Sequence, residues 1–336
     1  MRKPKAIIVG GSIAGISCAK ALILAGWDVV VIEKTRGPPI GNPTGAGIAL
    51  NPLSQKMVKS WLHQPDLLHN ITLPLTIGQN RAVDREKNIC GTDEIIDVVG
   101  DLLVAADGSC SSVRQTFLPD SKLRYTGYCA WRGVFDFSEN ENSETIQGIR
   151  KAYPELGNGV HVDLGPGTHT GDSATMKVSS DMIKKMHQEA EKIWVPEFAR
   201  VIKETKEPFL NLMYDCDPLT QIYWDNVVLI GDAAHPITPH CARSTNMAIA
   251  DAAVLGKCLE RWGPENLHSA LEEHQSVRLP VTTKQVLHSR RVGQIKLGLP
   301  TPDREPFDPN TASPEDCEIL KQRRLPFFDD VPSILE

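Results

Sequence analysis

The sequence predicts an α/β protein: a parallel sheet with helices packed on it, followed by a smaller region with a mixed sheet. Three observations carry this. Apolar runs of strand length recur at Ala6–Val9, Asp28–Glu33, Asp101–Gly108 and Asn226–Asp232, and each ends in or runs directly into a glycine or an acidic residue. The first two flank a helical stretch, Ile13–Leu24, which makes a β-α-β unit and therefore a parallel pair joined by a right-handed crossover. From Tyr125 to about Tyr223 the pattern changes to short mixed segments broken by Gly and Pro. A length of 336 residues suits roughly two domains. With 41% hydrophobic and 23% charged residues the composition is that of a globular chain. The net charge of −6 argues against a nucleic-acid binder, which shows a basic excess or stripe.

The elements follow in order. Gly26 stands where a glycine C-cap ends the first helix. The β-branched run Asp28–Glu33 reads as a strand buried on both faces. Residues 37–53 read as a Gly/Pro loop, and Ser54–Leu62 as a helix, whereas 67–97 show no clear period. A helical piece lies near Ser180–Lys192. A long helix covers Ser244–Trp262, and another runs from Leu267 through Arg291 with a break expected at Pro280. Seven of the 24 prolines follow Leu299, so the tail is expected to wrap over the surface. The uncharged N-terminal run Ala6–Ala19 is too short for a membrane span, which needs about 20 residues. The eight cysteines form no Cys-x-x-Cys pair and read as reduced thiols of a cytoplasmic protein.

The chemistry concentrates at strand ends. Gly10-Gly11-Ser12-Ile13-Ala14-Gly15 follows a strand and opens a helix, close to the Gly-x-Gly-x-x-Gly pattern of Rossmann-like folds. There, free backbone N–H groups and the helix dipole favour a pyrophosphate. Glu33 ends the second strand, where a carboxylate accepts from a ribose diol, with Lys34 beside it. Asp107-Gly108, with Ser112 and Arg114 after it, ends one further strand, and Gly231-Asp232 ends another. Three such ends describe one extended ligand crossing the sheet. A carboxylate such as Asp232 suits sugar-alcohol hydroxyls, which points to the ribityl chain of FAD rather than to NAD.

On these residues the chain resembles the single-component FAD-dependent aromatic hydroxylases, the para-hydroxybenzoate, salicylate and urate hydroxylase-like flavoprotein monooxygenases, in a plant-type form. The matching residues are Gly10–Gly15 with Glu33, Gly45–Leu50 including Gly47, Asp107-Gly108, Tyr128–Gly133, Gly231–Pro236, Pro239 and Asn246–Ala252. The resemblance implies a GR2-type FAD-binding domain formed by residues 1–120 and 226–296, a substrate domain at 121–225 and a proline-rich tail at 297–336. It implies that Gly10–Gly15 and Glu33 hold the ADP part of FAD. Asp107 and Gly108 would serve flavin and transient NADH or NADPH, Asp232 the ribityl chain, and Pro239 and Asn246 the ring system. It further implies hydroxylation of a small aromatic or heteroaromatic substrate with O2, through a flavin C4a-hydroperoxide. No nucleophilic triad and no metal enter that chemistry. Which side chains are catalytic, and the oligomeric state, are not legible.

Departures from the family accompany the match. The flavin-side loop of the family reads Pro-x-Gly-Gly-x-Gly-x-Asn, whereas this one reads Pro239-His240-Cys241-Ala242-Arg243-Ser244-Thr245-Asn246. Ser244 is a candidate helix cap, and Arg243 a charge beside the flavin or a solvent-facing residue. The arginine-bearing helix expected between Glu33 and Asp107 is absent, and the text breaks abruptly near 90/91 and 170/171. Two internal segments are expected to be missing. The alternative function is therefore an FAD- or dinucleotide-binding protein without hydroxylase activity. An NAD-dependent dehydrogenase is disfavoured, because Gly231-Asp232 has no role in it. His235 and His240, flanked by Pro236 and Pro239, read as loop residues rather than metal ligands; His161 and His169 read as surface histidines over a place in a substrate pocket, and Ser289-Arg290-Arg291 as a solvated helix end over an anion contact.

Overall fold

The computed structural model describes residues 2–34, 50–62, 64, 68, 76–77, 98–137, 141–154, 159–160, 178–301, 313 and 332–335. The main sheet contains β1 (Lys5–Val9), β2 (Asp28–Ile32), β4 (Leu102–Ala105), β8 (Tyr223–Trp224) and β9 (Val227–Leu229), in the order β2-β1-β4-β9-β8. β1 pairs parallel with β2 and β4, and β4 pairs parallel with β9. Within this sheet, among the described residues, only the β8–β9 hairpin is antiparallel. A two-residue parallel pair joins β3 (Thr76–Ile77) to β6 (Gly159–Val160).

α1 (Ile13–Leu24), α7 (Ser244–Trp262) and α8 (Leu267–Lys296) form the layer over this sheet. Ile8, Leu22, Trp27, Val104, Val228, Leu255, Leu259 and Leu271 make one core between them. α7 approaches α1 very closely, because its facing residues are small. A Cβ on Gly256 would lie 2.9 Å from the Ala21 side chain. Such contact gains dispersion energy that larger side chains would forfeit by holding the helices apart. α2 (Pro52–Trp61) is capped by the Asn51 side chain, which accepts from Ser54 N–H at 2.7 Å, and its Met57 packs on Ile249 and Ala253 of α7. Among the tail residues, Ile334 and Leu335 pack against the main core.

The second region contains an antiparallel pair, β5 (Arg124–Arg132) with β7 (Phe209–Asp215), with a register shift between Tyr125 and Cys129. Gly127 has φ +89° inside that shift, which a side chain would resist. Beside it lie α4 (Glu144–Ala152), α5 (Ser180–Ile193) and α6 (Pro196–Glu204). Ser143 and Ser179 cap α4 and α5 through their hydroxyls, and Trp194 and Phe198 join α5 to α6 by an edge contact of 5.4 Å.

Three expectations are corrected. β2 is the sheet edge, with its end residues exposed, because no strand pairs with its outer side among the described residues. α8 continues through Pro280, which faces solvent, while Arg278, Thr282 and Gln285 bury the opposite face and hold both halves in line. The segment Ser289-Arg290-Arg291 is not a solvated helix end. Ser289 is fully buried and donates to the Thr238 carbonyl at 2.8 Å, and Arg290 bonds the buried Asp215 carboxylate at 2.7 Å.

Candidate functional site

The carboxyl ends of β1, β4 and β9 lie side by side. Ala106 N–H donates to Val9 O at 2.8 Å, and Ile230 N–H donates to Ala105 O at 3.0 Å. Each of these strands is continued by one of the motifs. Gly10 has φ +105°, and a Cβ on it would meet Ala106 O at 2.3 Å. A Cβ on Gly15 would meet Gly10 O at 1.8 Å. Glycine at both positions lets α1 start directly on the strand end, with its N-terminal amides turned outward from the sheet. Ser12 is exposed and makes no capping bond, and Ile13 and Ala14 form the first turn of α1. The exposed Glu33 accepts from Gly11 N–H at 2.6 Å, so the acid at the end of β2 already touches the glycine turn. Lys34 is exposed beside it, and Gly47 lies outside the described residues.

Asp107 stands at the end of β4 and uses one oxygen to accept from the N-terminal amides of α3 (Ser112–Phe117), at 2.8 and 3.3 Å. Its Oδ1 is buried without a hydrogen-bond partner among the described residues. Gly108 takes φ +82° at the turn. Arg114 is fully buried, and its guanidinium donates to Ala233 O at 2.8 Å, to Asp232 O at 3.3 Å and to Ser109 O. It thus ties the turn after β4 to the turn after β9 through backbone carbonyls.

The third turn is a short 3₁₀ segment, Gly231–Ala233. Gly231 has φ +58°, and a Cβ there would press on Ala14 at 2.8 Å, so this turn sits against the start of α1. The half-buried Asp232 accepts from the Ser244 hydroxyl at 2.5 Å. Burial raises its carboxyl above the ordinary range, and the Ser244 hydrogen bond and His235 oppose that only in part. Ser244 is thus not the helix cap. Arg243 takes that place, and the hydroxyl serves Asp232 instead.

Pro239 begins a second 3₁₀ turn, Pro239–Cys241, closed by Ala242 in the left-handed region. Asn246, buried in α7, accepts from Asn51 N–H at 2.9 Å and so fixes the start of α2. Arg243 is 5% exposed, which removes the solvent-facing reading, and burial lowers its guanidinium to about 10. Across from this loop, the Tyr128 hydroxyl on β5 meets His240 Nε2 at 2.5 Å. The imidazole occupies space left by Gly293 of α8, and Lys296 donates to the His240 carbonyl at 3.2 Å. Burial, with Lys296 nearby, lowers His240 to about 4 and keeps it neutral.

The sequence reading did not find the links between these motifs. Asp251 and Arg278 form a buried ion pair beside the Gly231 turn, with His235 bonded to the same carboxylate, and Tyr128 and His240 join the two regions. One signal existed. Asp251 interrupts the apolar run Ile249-Ala250-Asp251-Ala252-Ala253-Val254, and an acid there requires a buried partner.

Glycine turns and a buried unpaired carboxylate oxygen at three adjoining strand ends, with an exposed acid at the end of the neighbouring β2, mark a dinucleotide-binding class of α/β protein. Comparison with known proteins carries this further. The FAD binding domain family matches residues 184–288. The chain is 30% identical to the aurachin C monooxygenase/isomerase of Stigmatella aurantiaca, over 88% of this chain and 82% of that one. It is 24% identical to the FAD-dependent urate hydroxylase of Klebsiella pneumoniae, over 88% and 91%. The fold matches Klebsiella pneumoniae HpxO complexed with FAD and uric acid with a TM-score of 0.64 at 21% identity, over 88% and 89% of the two chains. It matches CtdE in complex with FAD and substrate at 0.71 and 17%, over 88% and 90%. The chain belongs to the FAD-dependent aromatic hydroxylases, and FAD is its cofactor. The urate hydroxylase alignment runs over 360 positions, more than the 336 residues present here, so that relative carries internal stretches with no counterpart in this chain. The junctions at 90/91 and 170/171, and His161 and His169, lie outside the described residues.

Proposed function

We propose that this chain is a monooxygenase that uses FAD, NADH or NADPH, and O2 to hydroxylate a small aromatic or heteroaromatic substrate. The observation that carries the reading is the meeting of Gly10–Gly15, Asp107-Gly108 and Gly231-Asp232 at adjoining strand ends. The residues fit FAD. Glycine at 10 and 15 lets the chain turn tightly from β1 into α1, where a Cβ would strike backbone, and the buried Asp107 Oδ1 suits a ligand that donates a hydrogen bond. Gly10–Gly15 with Glu33 and Lys34 would hold the adenosine and pyrophosphate. Asp107 and Gly108 would face the middle of the cofactor, and Asp232 its ribityl hydroxyls. Arg114 would set the spacing of those last two turns, while Pro239 and Asn246 would flank the ring system. Bound there, FAD supplies hydride acceptance and oxygen activation, and the protein supplies orientation and a dry site.

In this reading residues 1–120 and 226–296 form a GR2-type FAD domain, 121–225 the substrate domain and 297–336 a tail. Asp215 supports a fixed junction, since it is bonded by Arg124 of β5 and Arg290 of α8. The neutral Tyr128–His240 hydrogen bond at the same junction ties the substrate-domain strand β5 to the Pro239–Cys241 turn. Among the described residues no helix is long and apolar enough to cross a membrane, and the six described cysteines are free thiols, which accords with a cytoplasmic enzyme.

The relatives name hydroxybenzoates, 6-hydroxynicotinate and urate, and these make the first substrate panel. NADH and NADPH oxidation with O2 uptake, measured with each compound on FAD-loaded protein, tests the proposal. Substrate-stimulated turnover yielding a hydroxylated product is expected. FAD binding with no turnover on any of them would favour the reading of a flavin-binding protein without hydroxylase activity.

A further inference from the structure

We infer that Asp251 is a positioning residue for the flavin, acting through the backbone of the Gly231–Ala233 turn, with His235 and Arg278 holding its carboxylate in place. The inference rests on the proposed role of Asp232 in holding the cofactor. Asp251 lies in the middle of α7 and is 2% exposed. Its Oδ2 accepts from Gly231 N–H at 2.9 Å and from His235 Nε2 at 2.6 Å, and its Oδ1 accepts from Arg278 Nε of α8 at 2.8 Å. His235 belongs to the same turn, since its own N–H donates to Gly231 O at 3.0 Å. One carboxylate therefore grips the turn at two points and anchors it to two helices.

Stability alone does not account for this group. A buried ion pair is commonly matched or surpassed by apolar residues of the same volume, and α1, α7 and α8 already share an apolar core. An apolar side chain cannot accept from Gly231 N–H. Gly231 has little freedom otherwise, being at φ +58° and pressed against Ala14. Rotation of its peptide would carry the next residue, Asp232, away from Ser244 and from the crevice. His274 of α8, fully buried, is the further polar group nearby. Burial lowers it to about 4 despite the pull of Asp251, which keeps it neutral.

The test is FAD titration of full-length apoprotein, read by the dissociation constant and by the visible circular dichroism of the bound flavin. Loss of one buried hydrogen bond corresponds to a drop in affinity of about tenfold or more. Asp251→Asn is expected to lower FAD affinity by at least that much and to alter the flavin dichroism, and His235→Gln to do so more weakly. The double variant Asp251→Asn with Arg278→Gln removes both charges together and avoids an unpaired buried cation. Either variant, folded and binding FAD within about twofold of wild type with unchanged dichroism, overturns the inference. If neither folds, amide hydrogen exchange at Gly231 in the wild type decides. Protection that rises with FAD supports the inference, and exchange indifferent to FAD overturns it. Wild-type apoprotein that binds no FAD would instead overturn the proposed function beneath it.

Discussion

Ala242 sits at φ +50° and ψ +44°, at a place where the related loops carry glycine. An L-residue held left-handed costs about 1–2 kcal/mol, partly offset by the entropy a glycine adds to the unfolded chain. Ala242→Gly should therefore stabilise the protein by about 1 kcal/mol, seen as a higher urea midpoint with an unchanged slope. Gly15 predicts the reverse. A Cβ there would lie 1.8 Å from the Gly10 carbonyl, and a strand end cannot yield as a flexible side chain would. Gly15→Ala should cost about 3 kcal/mol and weaken FAD binding, measured by denaturation and flavin titration. Asp232 adds a pH dependence. Its carboxyl titrates above the ordinary range, so the acceptor form is lost early on acidification. FAD affinity should fall with decreasing pH at values where an ordinary aspartate is still ionised, and Asp232→Asn should flatten that profile.

At the scale of elements, the β-α-β unit was legible because periodicity and punctuation agreed. The helix Ile13–Leu24 and its glycine stop are found where the pattern put them. The edge position of β2 was not legible, because a run of valines reads as doubly buried whether or not a neighbour pairs with it. Pro280 misled for a related reason. Local chemistry says break, and the buried face on either side of it overrides the lost hydrogen bond. Because Pro280 is exposed, Pro280→Ala should restore a helical bond without losing packing. A gain of about 1–2 kcal/mol is expected, and a loss would show that the proline stabilises chiefly through the unfolded chain. The glycines and acids of the candidate site were legible as motifs. The Asp251 group was not, since its partners come from residues 235 and 278, joined only by the packing of α8 on α7.

At the scale of the whole molecule, buried histidines couple folding to pH. His240 and His274 are both lowered to about 4, chiefly by burial, whereas in the unfolded chain they titrate near 6.5. Between those values the unfolded state binds more protons, so stability falls as pH drops from about 6.5 toward 4, by up to roughly 2.7 kcal/mol per pH unit for the two together. His274→Asn should halve that slope in urea denaturation followed across this range. The decline comes below neutral pH, leaving the assembled strand ends intact at the pH of assay. The account stands most directly on those strand ends binding a flavin. Titration of purified apoprotein with FAD, followed by quenching of flavin fluorescence, measures it. One FAD per chain, with binding weakened at least about tenfold by Asp232→Ala, is the predicted result. Failure of folded wild-type protein to bind FAD, or binding indifferent to Asp232, would contradict it.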